Sequence, residues 1–319
     1  MKTESYSWEQ LPRAVAELRR TVFTHEQQIP ESLEWDDTDR IAVHYLARDD
    51  EGNPVATARL YPGEEGAGRV GRMAVASEKR MQGTGTALMR AILNDAVTEY
   101  DYLTLSAQEG AVDFYRQLGF HVVSESYMEA GIPHRSMRCM APALLVSRTP
   151  DTRRPFLLAA DTTSWRITAD HEQLQLLRSL SDQATRRFWL YDNTLSHTLY
   201  DDHFLTQALS RLGRRSRRSD IRFLIHDDSP LVRRRHRLVQ LMRRLPSRIN
   251  LKLVNTSYPH GDRPSVLVDD SGVLIRHDFA SLDGFANFRA PGRVRRFEEE
   301  FEQAWNYGSE SIELRQLPL

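Results

Sequence analysis

Arg80-Met81-Gln82-Gly83-Thr84-Gly85-Thr86-Ala87-Leu88-Met89 is the stretch that decides the fold of the first half of this chain. A strand-like apolar run, residues 70–75, precedes it, and a helix-like run follows it to about residue 97. The first amides of a helix lack intrahelical partners and the helix dipole favours negative charge there, so a strand, a glycine turn and a helix start form an anion site. Gly83 and Gly85 let a phosphate approach the backbone closely, and Arg80 adds a cation.

Two common phosphate-binding motifs are excluded. The dinucleotide fingerprint needs a third glycine where Leu88 stands, and the Walker A motif needs a Gly-Lys-Ser/Thr sequence that does not occur here. Downstream, residues 103–108 predict a short strand, and residues 111–120 predict a helix that ends at Gly119. This alternation predicts an α/β fold with a mixed sheet and helices on both of its faces.

The Arg-x-x-Gly-x-Gly loop, followed by Phe114-Tyr115 and Leu118-Gly119-Phe120, resembles the GNAT N-acetyltransferases. Residues 22–36 and 129–134 resemble the ElaA/YjcF-like branch of that family. The resemblance covers residues 1–142. It implies a GNAT mixed sheet with flanking helices, acetyl-CoA as the cofactor, and direct transfer of an acetyl group to a primary amine.

The resemblance also implies a cofactor site. The backbone of Met73, Ala74 and Val75 would pair with the pantetheine arm of acetyl-CoA as if that arm were an added strand. Gln108 occupies the position where family members often carry an asparagine, and we expect it to contact the cofactor. The pyrophosphate would be held by the loop residues Arg80, Met81, Gln82, Gly83, Thr84, Gly85 and Thr86.

Acetyl transfer requires an acceptor for the amine's proton and a proton donor for the leaving thiolate. By resemblance Tyr115 is the candidate acid, because a phenol is protonated at neutral pH; the alternative is a tyrosine that only packs under the loop. Glu26 and His134 are the candidate bases, with a solvated or structural role as the alternative for each. The acceptor side in this branch is lined by Gln27, Glu34 and Asp36. We identify no set of metal ligands in the sequence.

Length and composition indicate how the chain is organised. A chain of 319 residues predicts two domains. The polar, proline-bearing residues 148–155 predict a linker between a first domain at 1–147 and a second at 156–319. No apolar run reaches the roughly 20 residues of a membrane helix, and the N-terminus lacks a signal-peptide pattern, so we expect a cytoplasmic protein without a membrane partner. The single cysteine, Cys139, lies in a predicted strand and excludes an internal disulfide.

The second domain alternates strands and helices before a hairpin and a closing helix. This order resembles half of a phospholipase D-like domain, but the His-x-Lys motif of that family is absent, because Asn250 stands two residues before Lys252. We therefore expect an accessory, non-catalytic α/β domain; a generic small α/β domain is the alternative. The predicted strands are 187–191, 221–225 and 249–254, the helices 172–184, 202–214, 232–245 and 297–305, and the hairpin 265–275.

The charge of the chain is unevenly distributed. Residues 1–150 carry 16 basic and 22 acidic residues, whereas residues 151–319 carry 27 basic and 22 acidic ones. Thirteen arginines lie between Arg211 and Arg248. This region predicts a phosphate-binding surface for nucleic acid or another polyanion. The alternatives are a solvated helix face in an arginine-biased protein and an interface of a homodimer.

The leading hypothesis is an acetyl-CoA-dependent N-acetyltransferase whose second domain binds a substrate or partner. The acceptor is a small-molecule primary amine, or an amine of a protein or peptide. The alternative hypothesis is an acetyl-CoA-sensing regulatory or nucleic-acid-associated protein with little turnover. Nothing in the sequence chooses among these acceptors.

Overall fold

The computed structural model describes residues 1–147 and 154–316. These form two units, unit 1 (Met1–Asp151) and unit 2 (Thr152–Leu319), which are described separately. Of the predicted linker, residues 148–155, residues 148–153 lie outside the described residues.

Unit 1 is built on a single mixed sheet of eight strands. The strands are β1 (Lys2–Tyr6), β2 (Val43–Arg48), β3 (Pro54–Pro62), β4 (Ala67–Val75), β5 (Tyr102–Gln108), β6 (His121–Val122), β7 (Tyr127–Glu129) and β8 (Ile132–Cys139). Their order is β1-β2-β3-β4-β5-β8-β6, and β7 pairs with β8. All neighbours are antiparallel except β4 and β5, which run parallel.

The helices of unit 1 are α1 (Arg13–Arg19), α2 (Thr84–Ala96), α3 (Val112–Arg116) and α4 (Pro142–Ser147). Helix α2 packs its buried residues, among them Leu88 and Ile92, against the sheet and forms the main core of the unit. Cys139 at the end of β8 belongs to this core and is fully buried, and its predicted place in a strand is confirmed. The predicted GNAT-type mixed sheet with flanking helices is confirmed.

The two faces of the sheet differ in chemistry because side chains alternate along a strand. Ala58 on β3 and Leu105 on β5 lie in the core under α2. The intervening residues, including Arg59 on β3 and Ser106 on β5, therefore lie on the opposite face. That opposite face carries the polar residues of the site described below.

The chain between β1 and β2 is only partly α-helical. Helix α1 continues as a π-helix, Arg20–Glu26, which displaces the residues after it relative to a regular helix. Two short 3-10 turns follow, Glu31–Leu33 and Asp37–Arg40. Pro30 limits helix formation before the first turn, and Asp36 caps the second through the Thr38 amide.

Unit 2 also contains one mixed sheet. Its strands are β9 (Trp165–Ile167), β10 (Arg187–Asp192), β11 (Asp220–Ile225), β12 (Ile249–Leu253), β13 (Ser265–Val268), β14 (Gly272–Arg276) and β15 (Gly284–Asn287). Their order is β12-β11-β10-β13-β14-β15-β9, with β10, β11 and β12 parallel. The helices are α5 (Asp170–Asp182), α6 (His203–Arg215), α7 (Ser229–Arg233), α8 (Arg237–Arg244), α9 (Pro291–Tyr307) and α10 (Ile312–Gln316).

The predicted second α/β domain is confirmed, including the hairpin formed by β13 and β14. The predicted helix at residues 232–245 is confirmed over α8 but not before it, because the chain is extended at Arg234 and His236 between α7 and α8. The buried His236 side chain accepts the Leu238 amide at 3.2 Å and starts a new helix. Burial lowers the pKa of His236 to about 4, so the capping imidazole is neutral at pH 7.

Candidate active site in unit 1

Strands β4 and β5 separate along their length. They pair only from Ala67 opposite Tyr102 to Val70 opposite Leu105. Beyond that point β4 remains paired to β3 but bends, with a register shift between Thr57 and Arg59 and a left-handed Arg72 at a φ of 51°. The β5-facing edge of Met73, Ala74 and Val75 therefore has no strand partner among the described residues. This is the edge on which the sequence predicts the pantetheine arm.

The loop before α2 has the backbone geometry of an anion site. Met81 and Gly83 have φ values of 59° and 83°, and α2 begins at Thr84. No atom lies within 4 Å of the position of a Cβ at Gly83, so open space adjoins the first amides of the helix. Gly85 serves a different need, since its Cβ would lie 3.2 Å from the Met73 Cε and 3.3 Å from the Phe114 Cζ. Glycine at 85 therefore lets α2 approach β4 and α3.

Arg80 and Glu26 bind each other. The Arg80 Nη2 lies 2.6 Å from the Glu26 Oε2, and the Arg80 Nε donates to the Val75 carbonyl at 3.0 Å. Glu26 is not among the residues that line the cavity described next. The geometry does not support the predicted role of Glu26 as the base, because its carboxylate faces the loop arginine. Arg80 is fixed beside the loop, where it can attract a phosphate.

A polar cavity of about 470 Å³ opens on the face of the sheet opposite α2. Tyr115 from α3 borders it and donates a hydrogen bond from its hydroxyl to the Met73 Sδ at 3.3 Å. The Tyr115 side chain is almost fully buried, and this burial raises its pKa above the usual value of a phenol. Tyr115 is therefore protonated at neutral pH and lies beside the strand predicted to bind the cofactor.

His134 borders the same cavity from β8, directly opposite Gln108 in the β5–β8 register. Its Nδ1 lies 2.8 Å from the Ile132 carbonyl oxygen. Because a carbonyl can only accept, Nδ1 must carry the proton, and the Nε2 of the neutral ring keeps a free lone pair. The imidazole also stacks on the Tyr127 ring, with 6.3 Å between centroids. The position of His134 is thus fixed through its Nδ1 and its ring, and its role as a base stays a prediction.

Two hydrogen-bonded groups complete the cavity wall. Gln108 donates to the Gln27 Oε1 at 2.8 Å, so these two predicted residues meet although 81 positions separate them. The Ser106 hydroxyl lies 2.7 Å from the Glu129 Oε2 and 2.6 Å from the Tyr127 hydroxyl. Ser106 and Tyr127 carry no local sequence signal, whereas Glu129 opens the branch-like segment 129–134.

Glu34 and Asp36 border the cavity but are bound by arginines. Arg19 binds Glu34, with the Arg19 Nε 2.5 Å from the Glu34 Oε1. Arg59 donates hydrogen bonds to both carboxylate oxygens of Asp36, at 2.7 and 2.8 Å. This hydrogen bonding lowers the pKa of Asp36 to about 2, whereas burial raises that of Glu34 against the effect of Arg19. Their predicted direct contact with an ammonium group stays a prediction, and the geometry favours a positioning role.

Unit 2 displays most of its clustered arginines at the surface. Arg222 is an exception, held between the rings of Trp189 and Trp305 and bound to Asp220 at 2.9 Å. Eight other side chains are exposed and form no hydrogen bond or ion pair with a described residue. They are Arg214, Arg215, Arg217, Arg218, Arg233, Arg234, Arg235 and Arg244. Binding of a polyanion, or of a second copy of the chain, stays a prediction.

No group of three or more His, Cys, Asp or Glu side chains in residues 1–147 and 154–316 is arranged to hold a metal ion. Within the same residues, none of the helices has the length and apolar character needed to cross a bilayer.

Comparison with protein families and known proteins gives the same division of the chain. Residues 3–141 match the acetyltransferase (GNAT) domain, and residues 169–317 match a domain of unknown function (DUF7931). The second match leaves the phospholipase D-like resemblance untested. Each half of the chain thus matches a separate family.

Individual relatives align with the first half. The chain is 38% identical over 124 residues to a UPF0039 protein of Schizosaccharomyces pombe, covering 38% of this chain and 82% of the relative. It is 34% identical over 122 residues to the uncharacterized N-acetyltransferase YjcF of Bacillus subtilis, covering 38% and 86%. The crystal structure of Escherichia coli ElaA is similar at 27% identity, covering 43% of this chain and 98% of that one with a TM-score of 0.40.

Proposed function

The chain belongs to the GNAT acetyltransferase family of acyl-CoA-dependent N-acyltransferases through residues 3–141, and from this premise we propose that it acetylates a primary amine in the cavity of unit 1. One observation carries the proposal. The unpaired edge of β4 leads to a cavity that holds a protonated phenol, Tyr115, and an imidazole, His134, whose Nε2 is free to accept a proton.

The residues present fit acetyl-CoA as the cofactor. The β4 edge at Met73 to Val75 offers peptide groups to the amide-bearing arm, and the left-handed Gly83 leaves open space before the amides of α2. Arg80 lies beside this space, where its guanidinium is paired with Glu26 and would have to exchange that partner to bind a phosphate. When bound, acetyl-CoA supplies the acetyl group as a thioester. Gln108 borders the same cavity, but its amide is already bonded to Gln27.

The chain's own residues account for both proton transfers. The Nε2 of His134 takes a proton from the acceptor's ammonium group, directly or through a water, and leaves a nucleophilic amine. The hydroxyl of Tyr115 donates its proton to the departing sulfur. After the attack the nitrogen carries one proton more than the amide product, and this proton restores the Tyr115 hydroxyl, directly or through a water. His134 then releases the first proton to solvent. The burial of Tyr115 suits it to remain a donor until that step.

The cofactor site is tested with the full chain by calorimetry of acetyl-CoA binding. Gly83→Asp should abolish binding, because the carboxylate occupies the open space with the wrong charge. Gly52→Asp is a matched control, since Gly52 has a φ of 87° and similar open space but lies in the β2–β3 turn. Equal affinity in the two variants would contradict the loop assignment.

The chemistry is tested by mass spectrometry of products formed from acetyl-CoA and pooled amines and peptides. Tyr115→Phe and His134→Asn should each lower turnover about 10²- to 10⁴-fold, the usual contribution of an acid or base. The Asn amide can replace the Nδ1 donor but not the base, so the pH dependence of the rate should change only in that variant. Unchanged turnover in both would leave these residues with packing roles.

A further inference from the structure

The acceptor cavity is polar along one face of four neighbouring strands. Arg69 on β4 lies opposite Tyr61 on β3 and Thr104 on β5, and residues opposite one another in register share a face. Ser106 follows two residues later on β5, and His134 lies on β8 beside that strand. Arg69 and His134 therefore face the same cavity, which both of them line.

Most charges on the arginine side of this cavity are compensated. Arg19 binds Glu34 and Asp39, and Arg59 binds Asp39 at 2.8 Å and Asp36 at 2.7 Å. Arg72 adds a third cation to this group, 3.4 Å from the Asp36 Oδ2 and 3.6 Å from the Glu34 Oε2. Three arginines thus pair with three carboxylates, and together they form a nearly neutral cluster on this side of the cavity.

Two polar groups on the same side of the cavity have no partner among the described residues. The Arg69 side chain is exposed to the cavity, and its guanidinium bonds to no residue in the described ranges 1–147 and 154–316. The Nε of Arg59, whose side chain is only 5% exposed, is buried without a hydrogen-bond partner in that same part of the chain. A Cβ at Gly71 would lie 3.6 Å from this Nε, so glycine leaves room beside it. An unpaired donor of this kind is costly unless a ligand satisfies it.

The other side of the cavity carries the opposite charge. The Glu129 carboxylate accepts a hydrogen bond from Ser106, and no cation among the described residues pairs with it. Glu129 also lies close to His134, since it pairs with Ile132, two residues before that histidine. The cavity therefore has an unpaired cation, Arg69, and an unpaired carboxylate, Glu129, at different places on one face.

We propose that the acceptor is a primary amine that also carries an oxyanion, which Arg69 binds with support from Arg72 and the Arg59 Nε. The ammonium group of the same molecule lies by Glu129, within reach of His134. This inference rests on the proposed function, whose amine it specifies. A carboxylate and a phosphate share the recognition chemistry, because both accept charged hydrogen bonds from arginine.

The test compares amines of similar length on the full chain with acetyl-CoA. Two probes are anionic amines in the sense that they carry an oxyanion beside the ammonium group, 5-aminopentanoate and 3-aminopropyl phosphate. Pentylamine carries no oxyanion, and 1,5-diaminopentane carries a second ammonium group in its place. We expect kcat/KM for one of the anionic amines to exceed that for pentylamine about 10- to 100-fold, the range of a hydrogen bond to a charged group, mainly through KM. The ratio between the first two probes distinguishes carboxylate from phosphate.

Arg69→Gln should reduce the ratio of kcat/KM for the anionic amine to that for pentylamine by about the same factor of 10 to 100. Arg90→Gln is the matched control, because Arg90 is exposed on α2 and lies outside the residues that line the cavity. The control should keep the wild-type ratio. Equal kcat/KM for the anionic amines and pentylamine, with active enzyme, would overturn the inference while the proposed function stands.

Direct binding of the same probes, measured by calorimetry in the absence of turnover, separates the two proposals. Preferential, Arg69-dependent binding of an anionic amine without any acetyl transfer would support the subsite and contradict the proposed function. No preference for the anionic probes in this measurement overturns the subsite whether or not acetyl transfer occurs.

Discussion

The arginines of unit 1 and those of unit 2 occupy opposite electrostatic environments. In unit 1, Arg19 and Arg59 are buried and bound to carboxylates that come from distant positions in the chain. In unit 2, residues such as Arg214 and Arg233 are exposed and form no ion pair with a described residue. Arginine therefore helps to form the wall of a cavity in unit 1, whereas in unit 2 it leaves unpaired positive charge at the surface. The two environments differ because Arg19 and Arg59 have carboxylate partners close in space, whereas these exposed arginines have none among the described residues.

This comparison has energetic consequences. Removing one partner of a buried ion pair leaves an uncompensated charge in a poor solvent, whereas an exposed arginine exchanges its neighbours for water at little cost. An arginine substitution should therefore destabilise the protein more when the side chain is buried and paired with a carboxylate, and less when it is exposed. The predictions below test this expectation, beginning with the substitution that should lower the free energy of unfolding most.

The largest effect is expected for Arg19→Met. This change leaves the buried Glu34 and Asp39 without their shared cation and removes a guanidinium that lies 3.8 Å from the centre of the Trp35 ring. Unit 1 should lose about 3–5 kcal/mol of unfolding free energy. Urea unfolding, followed by a probe within unit 1, measures the loss. Arg214→Met, at an exposed position, should stay within about 0.5 kcal/mol of wild type.

A smaller effect is expected for Arg222→Met, which tests the exception in unit 2. Arg222 stacks on Trp189 at 4.5 Å and on Trp305 at 5.3 Å, and it binds Glu302 at 3.0 Å. Losing the cation–π contacts and a partly exposed ion pair should cost about 1–2 kcal/mol of unit 2 stability. A cost as small as that of Arg214→Met would place Arg222 with the exposed arginines.

Acidification should reveal the pair between Arg59 and Asp36. The folded pKa of Asp36, about 2, lies below its ordinary value of 3.8, so the pair's contribution is present above pH 4 and is lost as the pH falls toward 2. Because Asp36 is partly exposed, we expect the pair to contribute less than about 1 kcal/mol to the free energy of unfolding. Asp36→Asn keeps the helix cap but should flatten this acid dependence of stability. The neighbouring Asp37→Asn should leave the acid dependence unchanged; a similar flattening there would contradict the pairing.

The smallest effect on stability is expected for the combined change of Arg233, Arg234 and Arg235 to alanine, because these side chains are exposed. Its readout is binding of single- and double-stranded nucleic acid by anisotropy at several salt concentrations. If the region binds a polyanion, the slope of log K against log salt should fall by about 2 to 3 for three lost phosphate contacts. Absence of binding by the wild type at low salt would leave these arginines as a solvated surface.

Several features of the fold were predictable because they depend on neighbours in the sequence. The order of strand, glycine loop and helix at residues 70–96 follows from apolar periodicity and from the special backbone freedom of Gly83. The burial of Cys139 follows from its place in an alternating strand. The β13–β14 hairpin follows from its turn residues. In each case the decisive interactions span only a few positions.

The local pattern failed where a distant contact competed with it. Residues 232–245 have helical periodicity, yet the buried His236 interrupts the helix and caps the next one. The role of Glu26 as a base stays a prediction, and the contact of its carboxylate with Arg80, 54 positions away, was not predicted. Arg69, Ser106 and Glu129 were not predicted as cavity residues, because only the register of the sheet brings them to one face.

The sequence by itself determined the family of the first half and the two-part organisation of the chain, and it nominated the glycine loop and Tyr115 as site residues. These depend on short motifs and on periodicities of two and 3.6 residues, which are local properties of a polypeptide. The tertiary structure alone decided which charges are compensated and which remain free. Charge compensation depends on side chains that are close in space but 15 to 38 residues apart in the chain, as for Arg19 and Arg72 with Glu34.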